Sequence, residues 1–380
     1  MSTIQTDDFG QCDTKFGYYK VGNKNFYHKY NACVYSNRTK EQVEWTFEEK
    51  IFGDQAKKPR INANLLDLYR LRAEQLRDTY DYLILSFSGG SDSDNILKAF
   101  IDNNILLDEV WTDHHATVVE KSGYRVNLSV ENTNMVSEHF LVAKPELEKL
   151  RISNPEIKIH CSDSCNDLTI EDSSDLWTYL NVPVSYHVHK RYKYINKYVD
   201  KLSEKYKKVC VIIGSDKVIP YMNSDSYGFL FTDNATLMKQ SCMEYFYWTP
   251  DMPEIVTEQA HLVWDFLKKN PKVLHSKMLL QKIDSSSWMV RSKSFDQVVK
   301  SIIYPKWDFS KHQTNKQGIL INHSYHYFFS NYNEEMFFQA WKSNWLQSME
   351  SVNPTMFFKN NKDYTDDVKP FINTHIIGKL

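Results

Sequence analysis

Between residues 79 and 250, short apolar runs alternate with stretches of helical periodicity. Tyr82–Phe87 (YLILSF) is a continuous apolar run of strand length, the pattern of a strand buried on both faces. Ser93–Asn103 follows with helical spacing and Asp108–Thr112 reads as a second strand. Glu131–Leu150 is helical in pattern, Ile157–Cys161 (IKIHC) a third strand, and Ile170–Leu180 a short helix. His189–Lys207 is a longer amphipathic helix leading into the strand Lys208–Ile213 (KVCVII). Tyr227–Phe231 and Met243–Trp248 are further strand candidates. Strands alternating with helices predict a mainly parallel sheet covered on both faces, the doubly wound α/β class.

The flanks read differently. Leu65–Arg77 (LLDLYRLRAEQLR) is a helix whose Leu65, Leu68, Leu71 and Leu76 are expected on one side. Pro253–Lys269 is a helix with Pro at its start and Asn-Pro after its end. Strand signals fade beyond Pro250, so a mainly helical C-terminal region is expected there. Three regions result: an N-terminal accessory part over 1–78, the α/β unit over 79–250, and an aromatic-rich part over 251–380.

Composition narrows the class. The 380 residues include only 11 Gly, and 14% are aromatic, which excludes collagen-like, linker-like and wholly disordered chains. With 46 Lys and Arg against 48 Asp and Glu, the formal net charge is −2, so a nucleic-acid or membrane role would need a local patch. Six cysteines are too sparse for a disulfide framework. The polar, acidic opening MSTIQTDDFG lacks an export signal, and no apolar run has membrane-spanning length. A cytoplasmic setting is expected.

Glycine scarcity makes the segment after the first strand informative. Ser88-Gly89-Gly90-Ser91-Asp92-Ser93 holds the only Gly-Gly pair and stands between a strand and a helix start. Such a loop makes an anion site. Its N–H groups converge, the helix N-terminus adds partial positive charge, and glycines admit phosphate oxygens close to the backbone. Ser88, Ser91 and Ser93 add hydroxyls. Asp92 suits an anion only through a bridging cation such as Mg²⁺.

The string SGGSDS after an apolar strand resembles the SGGxDS PP-loop of the N-type ATP pyrophosphatases, the superfamily of asparagine synthetase, GMP synthetase and 7-cyano-7-deazaguanine synthase. It is neither a Walker A loop nor a GxGxxG fingerprint. The resemblance covers roughly residues 79–250 and implies a Rossmann-like (HUP) five-stranded sheet ordered 3-2-1-4-5, with ATP and Mg²⁺ bound. It also implies cleavage of ATP between the α and β phosphates. The sequence departs at Asp94, where many members carry Ser or Thr, and the extra carboxylate crowds a triphosphate unless a metal screens it.

The implied strand order places further candidates at the same crevice. Gly214-Ser215-Asp216-Lys217 follows the fourth strand and resembles the second Asp-bearing loop of asparagine synthetase-type enzymes. Asp216 is then a second Mg²⁺ ligand beside Asp92, Gly214 a nucleotide-side residue, and Lys217 a cation for the leaving pyrophosphate. Trp111 and Thr112, ending the second strand, are adenine-side candidates, with core packing as the alternative. His114 and His115 are adjacent and would face opposite ways in extended chain, a poor metal pair. Arg191 and Lys190, near the start of the long helix with His187 and His189, are candidates for holding phosphate or an acidic substrate. Lys190, Lys197, Lys201, Lys205 and Lys208 form a stripe opposite Ile195, Tyr198, Leu202, Tyr206 and Val209; it is a solvated face or a contact for tRNA or DNA. Tyr245–Pro253 is core or the wall of an acceptor pocket.

The expected function is ATP-dependent adenylation of a carboxylate, amide or base carbonyl, with release of pyrophosphate and attack by a nitrogen nucleophile. Ser2 after Met1 is not the Cys of an N-terminal glutaminase, so the nitrogen would be ammonia, an amine or delivered by a partner. Sulfur transfer or a PAPS reductase-like activity is the first alternative. Cys161-Ser-Asp-Ser-Cys165 is CxxxC rather than CxxC, however, and no cysteine follows Cys242. A nucleotide-binding sensor or scaffold without turnover is the second. No membrane partner is expected, and a homodimer stays open.

Overall fold

The structure, a computed structural model, describes residues 17–26, 32, 35–36, 38–113, 139–162, 195, 197–214, 218–232, 242–276, 279–290, 293–306 and 372–380. The chain begins with strands β1 (Tyr18–Val21), β2 (Lys24–Phe26) and β3 (Val43–Thr46), then helices α1 (Glu49–Ala56) and α2 (Leu65–Thr79). Asn64 caps α2, its side chain accepting from the Leu66 N–H at 3.0 Å. Next come β4 (Tyr82–Ser86), α3 (Ser91–Ile101), β5 (Glu109–Asp113), a π-helical turn His139–Ala143 running into α4 (Lys144–Ser153), and β6 (Lys158–Ser162). Residues 197–203 are helical and precede β7 (Val209–Ile213), β8 (Ile219–Met222), β9 (Ser226–Thr232) and β10 (Met243–Tyr245). The remainder comprises α5 (Glu254–Lys269), α6 (Pro271–Leu274), β11 (Leu280–Lys282), β12 (Trp288–Val290), α7 (Lys293–Ile303) and β13 (Ile372–Lys379).

The central sheet has the order β10-β7-β4-β5-β6, and every pairing in it is parallel. Numbered by its own strands, that is 3-2-1-4-5, the order the resemblance implies. The apolar runs explain the placement: β4 is buried through Leu85 and β7 throughout, as befits strands covered on both faces. Among the described residues, no helix is long and apolar enough to cross a membrane.

Two further sheets are antiparallel. One joins β2-β1-β3 near the N-terminus; the other runs β11-β12-β8-β9-β13. Among the described residues after Pro250, where a mainly helical region is expected, α5, α6 and α7 are joined by the strands β11, β12 and β13. β8 and β9, which the sequence ranges group with the parallel unit, join these later strands instead. A second correction concerns α2: Leu71 is 41% exposed, and Arg72 takes the inward position with Leu65, Leu68, Tyr69, Ala73 and Leu76. Three-point-six residues per turn align 65, 68, 72 and 76, and leave 71 on the outer side.

Much of the aromatic content builds the junction between these parts. Phe231 lies 4.9 Å from Phe47, 4.8 Å from Phe52 and 4.2 Å from Trp248, ring centre to ring centre. His375 of β13 closes this cluster, 5.4 Å from Phe229 and 5.8 Å from Phe231. Burial pushes its pKa down to about 4. The unfolded chain then binds a proton near pH 6.5 that the folded chain refuses, so full stability holds above that pH and falls between about 6.5 and 4. We expect about 2–3 kcal/mol of this loss to disappear in His375→Leu. Urea unfolding at pH 7 and pH 4.5 checks it; equal pH slopes in both proteins would contradict it.

The amino edge of the parallel sheet carries a saturated polar cluster. The fully buried Glu109 carboxylate accepts from the Tyr82 and Tyr198 hydroxyls, both at 2.8 Å, and lies 3.0 Å from His160 Nδ1 and 3.2 Å from Lys158 Nζ. Burial works to raise its pKa, but the bonds from His160, Tyr198 and Tyr82 and the charge of Lys158 hold it below the usual value. This end of the sheet is a finished structural network, and the carboxyl end is different.

Candidate functional site

At the carboxyl end of β4 the chain leaves the sheet through the glycine pair. Phe87 N–H still reaches the Trp111 carbonyl at 2.8 Å, extending the β4–β5 pairing by one residue. Two serines then hold the loop in shape. Ser88 Oγ accepts the Gly90 N–H at 3.2 Å, while Ser93 Oγ donates to the Gly90 carbonyl at 3.0 Å and accepts the Ser88 N–H at 3.3 Å. Gly89 has φ +81°, and a Cβ there would stand 2.8 Å from the Ala143 nitrogen, so both conformation and space demand glycine.

Helix α3 starts without a side-chain cap. Its first intrahelical bond runs from Asp94 N–H to the Gly90 carbonyl at 2.9 Å. The N–H groups of Ser91, Asp92 and Ser93 therefore have no acceptor within the helix, and they point where the dipole is positive. Ser91 adds a buried hydroxyl without a hydrogen-bond partner among the described residues. An uncapped helix start and an orphaned buried hydroxyl beside it together fit an anionic oxygen group. The roles of the serines divide: Ser88 and Ser93 shape the loop, and Ser91 is the hydroxyl left for a ligand.

The two carboxylates of the first turn also part ways. Asp94 is buried and meets Lys98 Nζ at 2.6 Å, one turn along the same helix. Its charge is thus matched inside α3. Asp92 is half-buried, and its Oδ1 accepts from the Tyr304 hydroxyl at 2.5 Å. The Tyr247 hydroxyl donates to the Asp92 carbonyl at 2.8 Å and accepts from Asn95 Nδ2 at 3.0 Å.

The strand order reverses between β4 and β7, and the ends of these strands meet. A Cβ on Gly214, the residue after β7, would lie 3.2 Å from the Asp92 carbonyl carbon and 3.3 Å from the Ser93 nitrogen. Gly214 thus packs directly on the start of α3, as expected for a residue facing the loop. Asp216, Lys217, Lys190, Arg191, His114, His115, His187 and His189 lie outside the described residues. Trp111 is core: its side chain is buried and its indole N–H donates to Ser162 Oγ at 2.9 Å. Thr112 is fully buried, with a hydroxyl that has no partner among the described residues.

Other sequence candidates are placed as follows. Lys197, Lys201, Lys205 and Lys208 are exposed while Ile195 and Val199 are buried, the amphipathic arrangement read from the periodicity. Burial pushes the Cys161 thiol above its usual pKa, with a weaker opposing pull from Arg151, which is the wrong direction for a nucleophilic thiolate. Cys165 lies outside the described residues. Among those residues, no group of three or more His, Cys, Asp or Glu side chains stands ready to hold a metal. A Mg²⁺ ion carried by one or two carboxylates and the phosphates themselves does not require such a group. The sequence missed Tyr69, Tyr247 and Tyr304 as neighbours of the loop; Tyr247 falls in the segment read as core or pocket wall, and the other two carried no local signal.

No protein-family model matches this chain, and no curated protein matches it in sequence. Its functional reading therefore stands on the geometry of the loop and the resemblance of its motif.

Proposed function

We propose that the chain is an ATP-dependent, AMP-forming enzyme of the PP-loop kind. The observation that carries this is the position of SGGSDS: it leaves the central strand at the switch point of a 3-2-1-4-5 parallel sheet, with Gly214 of the opposing strand packed on it. In this reading Gly89, Gly90, Ser91 and the first N–H groups of α3 receive the phosphates, with Ser88 and Ser93 shaping the loop. Thr112 and the backbone of Trp111 lie on the adenine side. Asp92 and Asp216 hold Mg²⁺, which would neutralise phosphate charge. Lys217 and Arg191 supply cations toward the leaving pyrophosphate and an acidic acceptor. An acceptor oxygen attacks the α-phosphorus, the α–β bridging bond breaks and pyrophosphate leaves; a nitrogen nucleophile then displaces AMP from the activated acceptor. The direction of the Cys161 shift disfavours sulfur transfer.

The test is product analysis. Purified protein, α-labelled ATP and Mg²⁺ are incubated with and without a metabolite or tRNA extract, and AMP is resolved from ADP. AMP with stoichiometric pyrophosphate is the expected result. ADP as the sole nucleotide product would refute the proposal, and tight ATP binding without turnover under every supplement would favour a sensor.

A further inference from the structure

Three tyrosines from three separate segments converge beneath the loop. Tyr69 of α2 donates to the Ile303 carbonyl at 2.7 Å and accepts from Gln259 Nε2 at 2.9 Å, which fixes the last turn of α7. The next residue, Tyr304, is buried and reaches Asp92 Oδ1. Tyr247, which follows β10, holds the Asp92 backbone, and its ring lies tilted 5.7 Å from the Tyr304 ring. The main chain and the carboxylate of Asp92 are thus gripped by different residues from different elements.

We infer that Tyr304 is a positioning residue for Asp92, setting the orientation in which that carboxylate meets the metal–nucleotide complex; this rests on the nucleotide reading above. The physical case is that a ligating carboxylate can rotate about χ2. A buried hydroxyl bonded to one oxygen selects one rotation and thereby aims the other. The arrangement also makes the end of α7 part of the site, so the C-terminal region contributes to metal binding without touching the phosphates.

The experiment measures Mn²⁺ binding by electron paramagnetic resonance on the full chain, with a non-hydrolysable α,β-methylene ATP analogue present. Tyr304→Phe keeps the ring and its packing and removes only the hydroxyl. Its Mn²⁺ dissociation constant is expected to rise about 10–100-fold, the usual effect of losing an outer-shell partner. Tyr247→Phe removes a hydroxyl of equal burial that bonds the Asp92 backbone rather than its carboxylate, and it is expected to lose far less. Equal weakening in both variants would mean general loosening of the loop and would overturn the inference, as would unchanged binding in Tyr304→Phe. Wild-type protein that binds neither Mn²⁺ nor the analogue would overturn the nucleotide reading itself, and this inference with it.

Discussion

Truncating Arg72 to alanine is expected to lower the unfolding free energy by about 3–5 kcal/mol, the range found when one partner of a buried ion pair is removed. The guanidinium is almost fully buried on α2. It reaches Gln75 Oε1 at 2.7 Å, the Tyr245 carbonyl at 3.0 Å and Glu244 Oε2 at 3.2 Å. The Tyr80 hydroxyl bonds the other Glu244 oxygen. Alanine would take the cation from the buried Glu244 carboxylate in β10, which among the described residues pairs with β7, and would remove a donor from the Tyr245 carbonyl. The urea midpoint at unchanged m-value measures the loss. Replacing both charges, as in Arg72→Met with Glu244→Leu, is expected to recover most of it, because no unpaired charge then remains. A single-variant loss below about 1 kcal/mol would show that the pair is not the anchor claimed here. The consequence reaches the site, since Tyr247 stands two residues beyond β10 and holds the Asp92 backbone.

Arg72 also shows where sequence reading stops. A helix at 65–77 was legible from its apolar spacing, yet its inward face was not, because a leucine at 71 outweighs an arginine at 72 in any hydropathy pattern. Glu244 and the Tyr245 carbonyl, more than 170 residues away, are what make the buried arginine tolerable. The parallel sheet was legible for the opposite reason. Its central strands β4 and β7 are short apolar runs, and β4, the loop and α3 are contiguous, so one stretch of about twenty residues carried both the fold class and the candidate site. β9 pairs with β13 at a separation of some 140 residues, with Phe231 opposite Asn373, and nothing in residues 226–232 names that partner. Tyr304 was invisible in the same way. Its role depends on α7 ending beside α3, which follows from packing among α2, α5 and α7 rather than from any motif.

Asp92→Asn is expected to reduce AMP formation by about 10²–10³-fold while leaving the protein folded. The amide oxygen can still accept from Tyr304, and asparagine is nearly isosteric with aspartate, so only the charge offered to the metal is lost. Helix-dipole stabilisation falls too, by about 0.3–1 kcal/mol, since a negative side chain leaves the first turn of α3. Asp94→Asn supplies the comparison. It removes the same charge from the same turn and the same dipole benefit, but its carboxylate is bonded to Lys98 at 2.6 Å within the helix. It should therefore cost more stability than Asp92→Asn, because the Lys98 pair is lost as well, and reduce turnover much less. Rate and melting temperature measured on both variants separate the two roles. If Asp94→Asn loses as much activity as Asp92→Asn, the assignment of the metal-facing carboxylate is wrong. If neither loses activity, the loop does not act on a metal–nucleotide complex. The prediction works because two acidic residues two positions apart, one in the motif and one beside it, have been given different partners by the fold.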